Sequence, residues 1–367
     1  MLAGRKLWHV AGRVVALAGL TCLAARHAGA GVTAVRFAEN PLVSVRSDPS
    51  VGDNVNGPSI IRVPDWVRNP LGRYYMYFAH HRGTYIRLAY ADSLHGPWKI
   101  YAPGVLNVAA TALFRPQPDP PYEIYGVYTH VASPEVLVDD AHQRIIMWVH
   151  GQFSDGKRWP DDPLEAHAWL RQNGYSQVTQ VTVSSDGLHF DAQPAISKEP
   201  YLRVFQHGGE YYGIVRLGHL VRSKDPLEPF ENGPNPFRDT PYSNKVRHVA
   251  LLAEGDTLHI FLSVIGAAPE SILHTTLSLA GDWQSWKVGP FDEVLKPEAR
   301  YECPDWPVRA SEVGEIYGAA RQLRDPAVYV EKGAGGAQKA TLFYTVCGEQ
   351  GVAAADLELG ATPGGTR

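Results

Sequence analysis

Short apolar runs alternate with turn residues along almost the whole chain, and the same order of runs returns five times. The clearest copy has strand signals at 58–62, 73–79 and 85–91, and it ends on a Gly-Pro pair at Gly96. Weaker copies open near residues 133, 200, 247 and 324. The runs are rich in β-branched and aromatic residues and are bounded by Gly, Pro, Asp and Asn, which is typical of strands and hairpins.

A repeat of several strands without a helix cannot bury its apolar face alone, so we expect the copies to pack as the blades of a propeller. The sequence therefore predicts an all-β fold, a five-bladed β-propeller. Residues 33–37 are predicted to add a strand to the last blade and close the ring, and residues 163–171 to form a helix in an insertion of the second blade. The predicted blades are 54–101, 129–192, 199–233, 245–290 and 315–359.

The first 30 residues have the pattern of a signal peptide. Basic residues precede an apolar stretch that is too short to span a bilayer comfortably, and Ala28-Gly29-Ala30 supplies the small residues that signal peptidase needs. We expect a secreted or periplasmic protein with a single domain at 31–359 and a disordered tail at 360–367. An uncleaved N-terminal anchor is the alternative.

Loss of this leader removes four basic residues and no acidic ones, so the formal net charge falls from −4 to −8. An acidic chain without a Lys/Arg-rich run gives no support to nucleic-acid binding, and no membrane association is expected after leader cleavage. Cys303 and Cys347 could pair in an oxidising compartment, although their spacing does not demand it. No nucleotide or flavin cofactor is predicted, because no Gly-rich loop lies between a strand and a helix.

Polar residues at the start of each blade are candidates for a site, because the first strand of every blade lines one central funnel. Such groups are costly to bury without partners, so they either pair with one another or bind a ligand. So many in one ring favour a ligand cavity. They are Asn56, His130, Glu135, Arg203, Arg247, His248, Arg324 and Asp325.

A second group of basic side chains follows the second strand of the first blade, at His80, His81 and Arg87. Hydrogen bonds to sugar hydroxyls or to a uronate are expected, with Arg87 or Arg247 as the fork for a carboxylate. A divalent cation held by His130, His248 and a carboxylate is an alternative.

Three phrases carry a resemblance to a known group: Gly57-Pro58-Ser59 in the first blade, Ser133-Pro134-Glu135 in the second and Arg324-Asp325-Pro326 in the last. With them the chain resembles the five-bladed β-propeller glycosidases, the superfamily of glycoside hydrolase families 43 and 32 and their uncharacterised relatives. The resemblance covers most of the chain, from residue 56 to residue 359. It is more specific for the fold than for the activity.

In that superfamily, acidic residues in the funnel protonate the leaving oxygen and act as base or nucleophile. The resemblance implies the acid role for Glu302 and base or charge-stabilising roles for Glu135 and Asp325. Glu302 lies in a Glu-Cys-Pro phrase like the one that carries the acid in invertase-like enzymes, although here it precedes Arg-Asp-Pro instead of following it. The first blade departs from the family, because Asn56-Gly57 stands where an Asp acts as base or nucleophile. Standard family 43 chemistry therefore cannot simply be carried over.

The sequence thus predicts a secreted glycoside hydrolase that acts on a polysaccharide or oligosaccharide through acidic residues in the funnel. A non-catalytic carbohydrate-binding propeller is one alternative, favoured by the missing first-blade Asp. A uronate-specific polysaccharide lyase is another, favoured by the His and Arg cluster. The residues predicted to hold substrate are Asn56, His80, His81, Arg87, His130, Arg247, His248 and Arg324.

Overall fold

The computed structural model describes residues 31–116, 128–154, 157–173, 177–333 and 338–360. The predicted leader and residues 361–367 of the predicted tail lie outside these ranges. The strands and the α-helix are β1 (Thr33–Arg36), β2 (Val43–Ser44), β3 (Asn56–Arg62), β4 (Tyr74–Ala79), β5 (Tyr85–Ala91), β6 (Lys99–Asn107), β7 (Ala132–Asp139), β8 (Arg144–Gln152), α1 (Pro163–Asn173), β9 (Gln177–Ser184), β10 (Asp191–Ser197), β11 (Arg203–His207), β12 (Glu210–Ile214), β13 (Leu220–Ser223), β14 (Glu231–Asn232), β15 (Val246–Glu254), β16 (Thr257–Val264), β17 (Ile272–Ser278), β18 (Asp292–Leu295), β19 (Arg324–Lys332), β20 (Gln338–Val346) and β21 (Gly351–Glu358). Short 3₁₀ turns lie at Pro49–Val51, Val108–Ala110, Asp140–His142, Arg216–Gly218, Trp283–Ser285 and Arg300–Glu302.

The strands form five antiparallel sheets, which are the blades: β3 to β6, β7 to β10, β11 to β14, β15 to β18, and β19 to β21 with β1. In the last blade, β1 pairs with β21, with Ala34 opposite Leu357, and β2 pairs with the same strand. The chain therefore closes its ring with its first strand, as predicted. The prediction of an all-β, five-bladed propeller is confirmed.

Each pair of neighbouring blades shares one apolar cluster. Between the first and second blades, for example, Tyr75, Tyr77 and Met147 are fully buried, and comparable clusters fill the other four contacts. Alternation along each strand allows this, because successive side chains face opposite neighbours. Burial of one large apolar side chain stabilises the fold by about 1.5–3 kcal/mol. Many of the aromatic residues therefore hold blades together.

Four first strands carry the same irregularity close to the funnel. In β3, β7, β15 and β19 the register shifts by one residue, so that the strand bulges. In three of them the bulge is an X-Pro pair whose first residue has positive φ: Gly57 at 55°, Ser133 at 45° and Asp325 at 46°. Proline suits the second position, because it has no N–H to leave without a ladder partner. The repeated phrases in the sequence thus mark strand bulges at the axis.

The insertion of the second blade contains α1, which covers the predicted helix. Nearby, the Arg115 guanidinium lies over the rings of Trp159 and Trp169, at 4.6 and 4.5 Å from the ring centres. Within the described ranges, no helix is both long enough and apolar enough to cross a membrane.

Candidate functional site

A cavity of about 170 Å³ lies at the funnel, where the first strands of the blades meet. Four residues predicted from the sequence come together in its wall: His81, His130, Arg247 and His248. Tyr201 and Arg216, from the third blade, were not predicted. The polar lining is His81, Tyr128, His130, Gln177, Tyr201, Arg216, Arg247, His248 and Glu315.

His81 is held by side chains of two blades. Its Nδ1 lies 2.7 Å from a carboxylate oxygen of Glu349 and 2.6 Å from the side-chain nitrogen of Asn56. Burial alone would lower the pKa of His81, but the charge of Glu349 and the hydrogen bond to it raise that pKa above its ordinary value. Because Nδ1 is occupied, Nε2 is the nitrogen available to a ligand.

Glu349 is 1% exposed, and both of its carboxylate oxygens accept hydrogen bonds. One oxygen accepts from the Asn54 amide at 2.5 Å, and the other accepts from Arg324 at 2.9 Å. Burial would raise the pKa of Glu349, but the positive charge of His81 and the hydrogen bond to it lower that pKa. The two shifts favour the charged forms of this pair, an imidazolium on a carboxylate.

His248 also rests on a carboxylate, but its pKa is shifted in the opposite direction. Its Nδ1 contacts Asp325, whose other oxygen accepts from the Thr345 hydroxyl at 3.4 Å. Burial lowers the pKa of His248 even though Asp325 opposes the change. Burial would raise the pKa of Asp325, but His248 holds that pKa well below its usual range. Nε2 of His248 is buried and has no partner within the described residues.

His130 and Tyr201 add rings to this wall, and His150, which does not line the cavity, packs against Tyr201. Burial lowers the pKa of His130 to about 4 and that of His150 well below its ordinary value. The Tyr201 ring lies 3.9 Å from the His150 ring and 4.6 Å from the His248 ring, measured between centres. Neutral rings with polar edges suit a sugar, whose faces are apolar and whose hydroxyls form hydrogen bonds.

Two predicted arginines are committed to protein partners. Arg247 and Arg324 share the buried carboxylate of Glu270, at 2.8 and 3.1 Å. Both also donate to the Gly314 carbonyl, at 3.2 and 3.1 Å. They therefore hold the segment around Gly314 in place. Of the two, only Arg247 lines the axial cavity.

Glu135 lies on the axis but does not line the cavity. Its carboxylate is 3.2 Å from Arg203 and accepts from the Val204 backbone N–H at 3.3 Å and from the Ser59 hydroxyl at 3.5 Å. Burial raises the pKa of Glu135, although Arg203 opposes the change. These contacts join the first three blades at their centre.

The first blade has no room for a side chain at position 57 of the bulge. A Cβ atom on Gly57 would lie 2.6 Å from the Cα atom of Ser133, because the bulges of β3 and β7 touch there. The packing of the two blades therefore requires glycine at position 57. Asn56, the residue before it, contacts His81 instead.

His80 and Arg87 do not line the axial cavity. Nε2 of His80 lies 2.7 Å from the Asp53 carboxylate, and Nε of Arg87 donates to the Ser50 carbonyl at 3.1 Å. The Arg87 guanidinium also lies 4.6 Å from the centre of the Tyr85 ring. The structure thus separates these two predicted substrate ligands from His81.

Glu302 is also away from the cavity, in the 3₁₀ turn before Cys303. Arg36 on β1 donates to both of its oxygens, at 2.8 and 3.1 Å, and the Tyr344 hydroxyl donates at 3.0 Å. Backbone N–H groups of Glu298 and Ala299 add two bonds of 2.8 Å. A catalytic role for Glu302 stays a prediction, and this position does not favour it. Cys303, the next residue, forms a disulfide with Cys347.

The described ranges contain no group of three or more His, Cys, Asp or Glu side chains arranged to hold a metal ion. Sequence reasoning missed Glu349, Glu315 and Tyr201. Glu349 and Glu315 lie in loops without a repeat phrase. Tyr201 sits beside the predicted opening of the third blade and has positive φ, like Ser133 and Asp325 at the bulges.

Comparisons with solved structures agree with this architecture. The GH43 BlXynB protein of Bacillus licheniformis has a TM-score of 0.50 at 13% identity, over 89% of this chain and 55% of that one. The GH43_1 enzyme of Xanthomonas citri has a TM-score of 0.50 at 11% identity, over 83% of this chain and 88% of that one. An exo-beta-1,3-galactanase of Clostridium thermocellum, 1,3Gal43A, gives 0.50 and 11%, over 82% and 59%. This chain spans about half the length of the Bacillus protein.

These likenesses show the fold alone, a five-bladed propeller. No protein-family model matches the chain. A relative in sequence is "Uncharacterized protein R118" of Acanthamoeba polyphaga mimivirus, which is 31% identical over 346 residues, 88% of this chain and 90% of the viral protein. The chain belongs to the same family as that protein.

Proposed function

We propose that this protein is a glycoside hydrolase that cleaves a sugar bound in the axial cavity, with His81 as general acid and His248 as general base. One observation carries the proposal: two imidazoles of one cavity have pKa values shifted in opposite directions, upward at His81 and downward at His248. Such a divergence of neighbouring groups is typical of acid and base assignments.

In this proposal His81 is protonated and His248 is neutral, and the chemistry follows from these two charge states. His81 gives the proton on Nε2 to the glycosidic oxygen, so that the bond from this oxygen to the anomeric carbon breaks. Water adds to the anomeric carbon and loses a proton to Nε2 of His248. Glu349 and Asp325 hold the two rings through Nδ1 and stabilise the charge on each one, which makes Asp325 a positioning residue.

Glu315 supplies a carboxylate at the cavity itself. Burial would raise its pKa, but hydrogen bonding, the positive charge of His81 and the ion pair with Arg82 at 3.0 Å lower it. An ionised carboxylate beside the sugar stabilises the positive charge that develops in an oxocarbenium-like transition state. Glu315 therefore takes the charge-stabilising role that the sequence assigned to Asp325.

The experiment is a glycan panel assayed for new reducing ends with wild type, His81→Gln, His248→Gln and a matched control, His95→Gln. His95 is an exposed histidine paired with Glu39 outside the funnel. Loss of a general acid or base is expected to lower the rate about 10²–10⁴-fold, while the control keeps wild-type activity. Turnover that survives both cavity substitutions would refute the assignment.

A non-hydrolytic carbohydrate-binding propeller is a second candidate, favoured by the glycine that two touching blades require at position 57. Binding of a glycan without new reducing ends would support it. An ultraviolet-absorbing unsaturated product would instead indicate elimination.

We also propose that the protein is exported. The basic and apolar pattern of the first 30 residues supports this proposal, and so does the Cys303–Cys347 disulfide, because disulfides persist in oxidising compartments. N-terminal sequencing of the protein recovered from its native host, together with fractionation, tests it.

A further inference from the structure

The axial cavity is the smallest part of a longer groove. On one side it shares Gln177 and Arg216 with a cavity of about 510 Å³ between the second and third blades. On the other side it shares Glu315 with a cavity of about 370 Å³ beside the last blade. A substrate of one sugar would leave both flanking cavities empty, whereas a chain would fill all three.

Each flanking cavity has a guanidinium to which the described residues supply no hydrogen-bond or ion-pair partner. Arg216 lines the larger cavity and the axial one, and no hydrogen bond or ion pair from its guanidinium is found within the described ranges. Arg321 lines the other flanking cavity, and its Nε is buried without any partner in the described part of the chain. A half-buried cation without a partner is costly, and a bidentate acidic group is the ligand that best satisfies a guanidinium.

These two arginines differ from the other arginines of the funnel. Arg247 and Arg324 are neutralised by Glu270 and Glu349, so they have little charge left for a ligand. Arg216 and Arg321 keep theirs, in a chain whose formal net charge is −4. The free positive charge at the groove is therefore a local feature and does not follow from composition.

Exposed aromatic rings lie along the same side of the groove as Arg321. Trp306 is 51% exposed and Tyr317 is 40% exposed, and both line that cavity. Exposed aromatic rings beside an unpaired cation can stack on a sugar ring that carries an acidic group.

We infer that the groove binds an extended acidic polysaccharide, with one sugar in the axial cavity and acidic groups of the flanking sugars on Arg216 and Arg321. The inference rests on the proposed function and specifies its substrate class: a polymer that carries carboxylate or sulfate groups and is bound internally along the chain.

Calorimetric titration of the His248→Gln protein, which prevents turnover, tests the inference with matched probes. One pair is polygalacturonate and its fully methyl-esterified form; the other is a sulfated galactan and its desulfated form. The acidic member of at least one pair is expected to bind tenfold or more tightly than its neutral partner, and the pair that discriminates identifies carboxylate or sulfate. Affinity is expected to rise with oligomer length up to the span of the three cavities.

The arginine variants supply the decisive comparison. Arg216→Gln and Arg321→Gln are each expected to weaken binding of the acidic probe about tenfold or more. Arg73→Gln is the matched control and leaves binding unchanged. Arg73 is an exposed arginine of the first blade and pairs with Glu331. Circular dichroism verifies that each variant is folded.

The remaining outcomes separate the two proposals. Equal affinity for acidic and neutral probes, with no effect of either arginine substitution, overturns this inference and leaves the proposed function standing. If a single sugar binds as tightly as longer oligomers, the inference of an extended groove is overturned. No binding of any probe at any length, together with inactivity on the glycan panel, overturns both.

Discussion

Two buried glutamates flank the Cys303–Cys347 disulfide, and their surroundings differ. Glu302 precedes one cysteine and Glu349 follows the other by two residues, and both are at most 1% exposed. Arg36, Tyr344 and backbone N–H groups surround the carboxylate of Glu302. Glu349 instead holds His81, which lines the axial cavity.

The comparison teaches that burial and complete pairing do not by themselves mark a functional acid. The two carboxylates are satisfied equally well, so the difference lies in the partner. The side-chain partners of Glu302 do not line the axial cavity, whereas one partner of Glu349, His81, does. The residues next to an acid in the sequence therefore cannot show whether that acid is structural or functional.

Truncation of the two glutamates gives the largest expected effect and separates the two sites. Glu349→Ala leaves Arg324, which is 1% exposed, without one of its two carboxylates, so we expect a loss of about 3–5 kcal/mol in unfolding free energy. Glu302→Ala is expected to cost about 1–3 kcal/mol, because Arg36 is 23% exposed and can turn to water. Urea unfolding measures both, and equal losses would contradict the distinction.

Removal of the disulfide that joins the two regions has the next largest effect. Cys303 and Cys347 are 44 residues apart, so the double Cys→Ala variant should lose about 3–4 kcal/mol of stability. The disulfide acts mainly on the unfolded chain, so glycan affinity of the folded variant should stay close to that of wild type. A large loss of affinity in a folded variant would show that the disulfide shapes the cavity.

The touching bulges of the first two blades are tested by Gly57→Ala. The new Cβ would meet Ser133 at a residue with positive φ, and we expect a loss of about 1–3 kcal/mol. Gly289→Ala is the matched control, because its Cβ would have only ordinary contacts, at 3.5 Å, and its loss should be within about 0.5 kcal/mol. Similar losses in both variants would contradict the steric requirement for glycine at position 57.

The smallest expected effect is the pH dependence of stability, which tests the His81–Glu349 pair. The pKa of His81 is raised in the folded state, so its stabilisation is complete below the unfolded value near 6.5 and disappears as pH rises through the raised value. The pKa of Glu349 is lowered, so its stabilisation is present above the unfolded value near 4.5 and disappears as pH falls through the lowered value.

His81→Gln should therefore cost most between these limits, and the difference from wild type should shrink on the alkaline side. Chemical unfolding across a pH series measures the difference. A gap of constant size over the whole series would mean that His81 does not titrate with Glu349.

The blade repeat could be predicted from the sequence because each blade has local signals: alternating strands, turn pairs and bulge phrases. Ring closure was predictable from the strand pattern at residues 33–37. His81, His130 and His248 could be assigned to the funnel because they lie at strand ends.

The pairing of the acids could not be predicted, since it depends on which loops cross the axis. Glu302 meets Arg36 across 266 residues, and Glu349 meets His81 across 268. No local pattern encodes either contact. Arg216 could not be predicted for the same reason. Its candidacy rests on the absence of a side-chain partner within the described residues, which only the structure shows.

The pairing of β1 with β21 sets the order in which the molecule can be completed during synthesis. Among the described strands of the propeller, β1 leaves the ribosome first and β21 last, so the fifth blade cannot form until all of them have been synthesised. Until then β1 is an unpaired edge, and Arg36 on it has no Glu302 to bind. The last blade, and with it the disulfide and the Glu349 loop that orders His81, is therefore completed only after β21 has been synthesised.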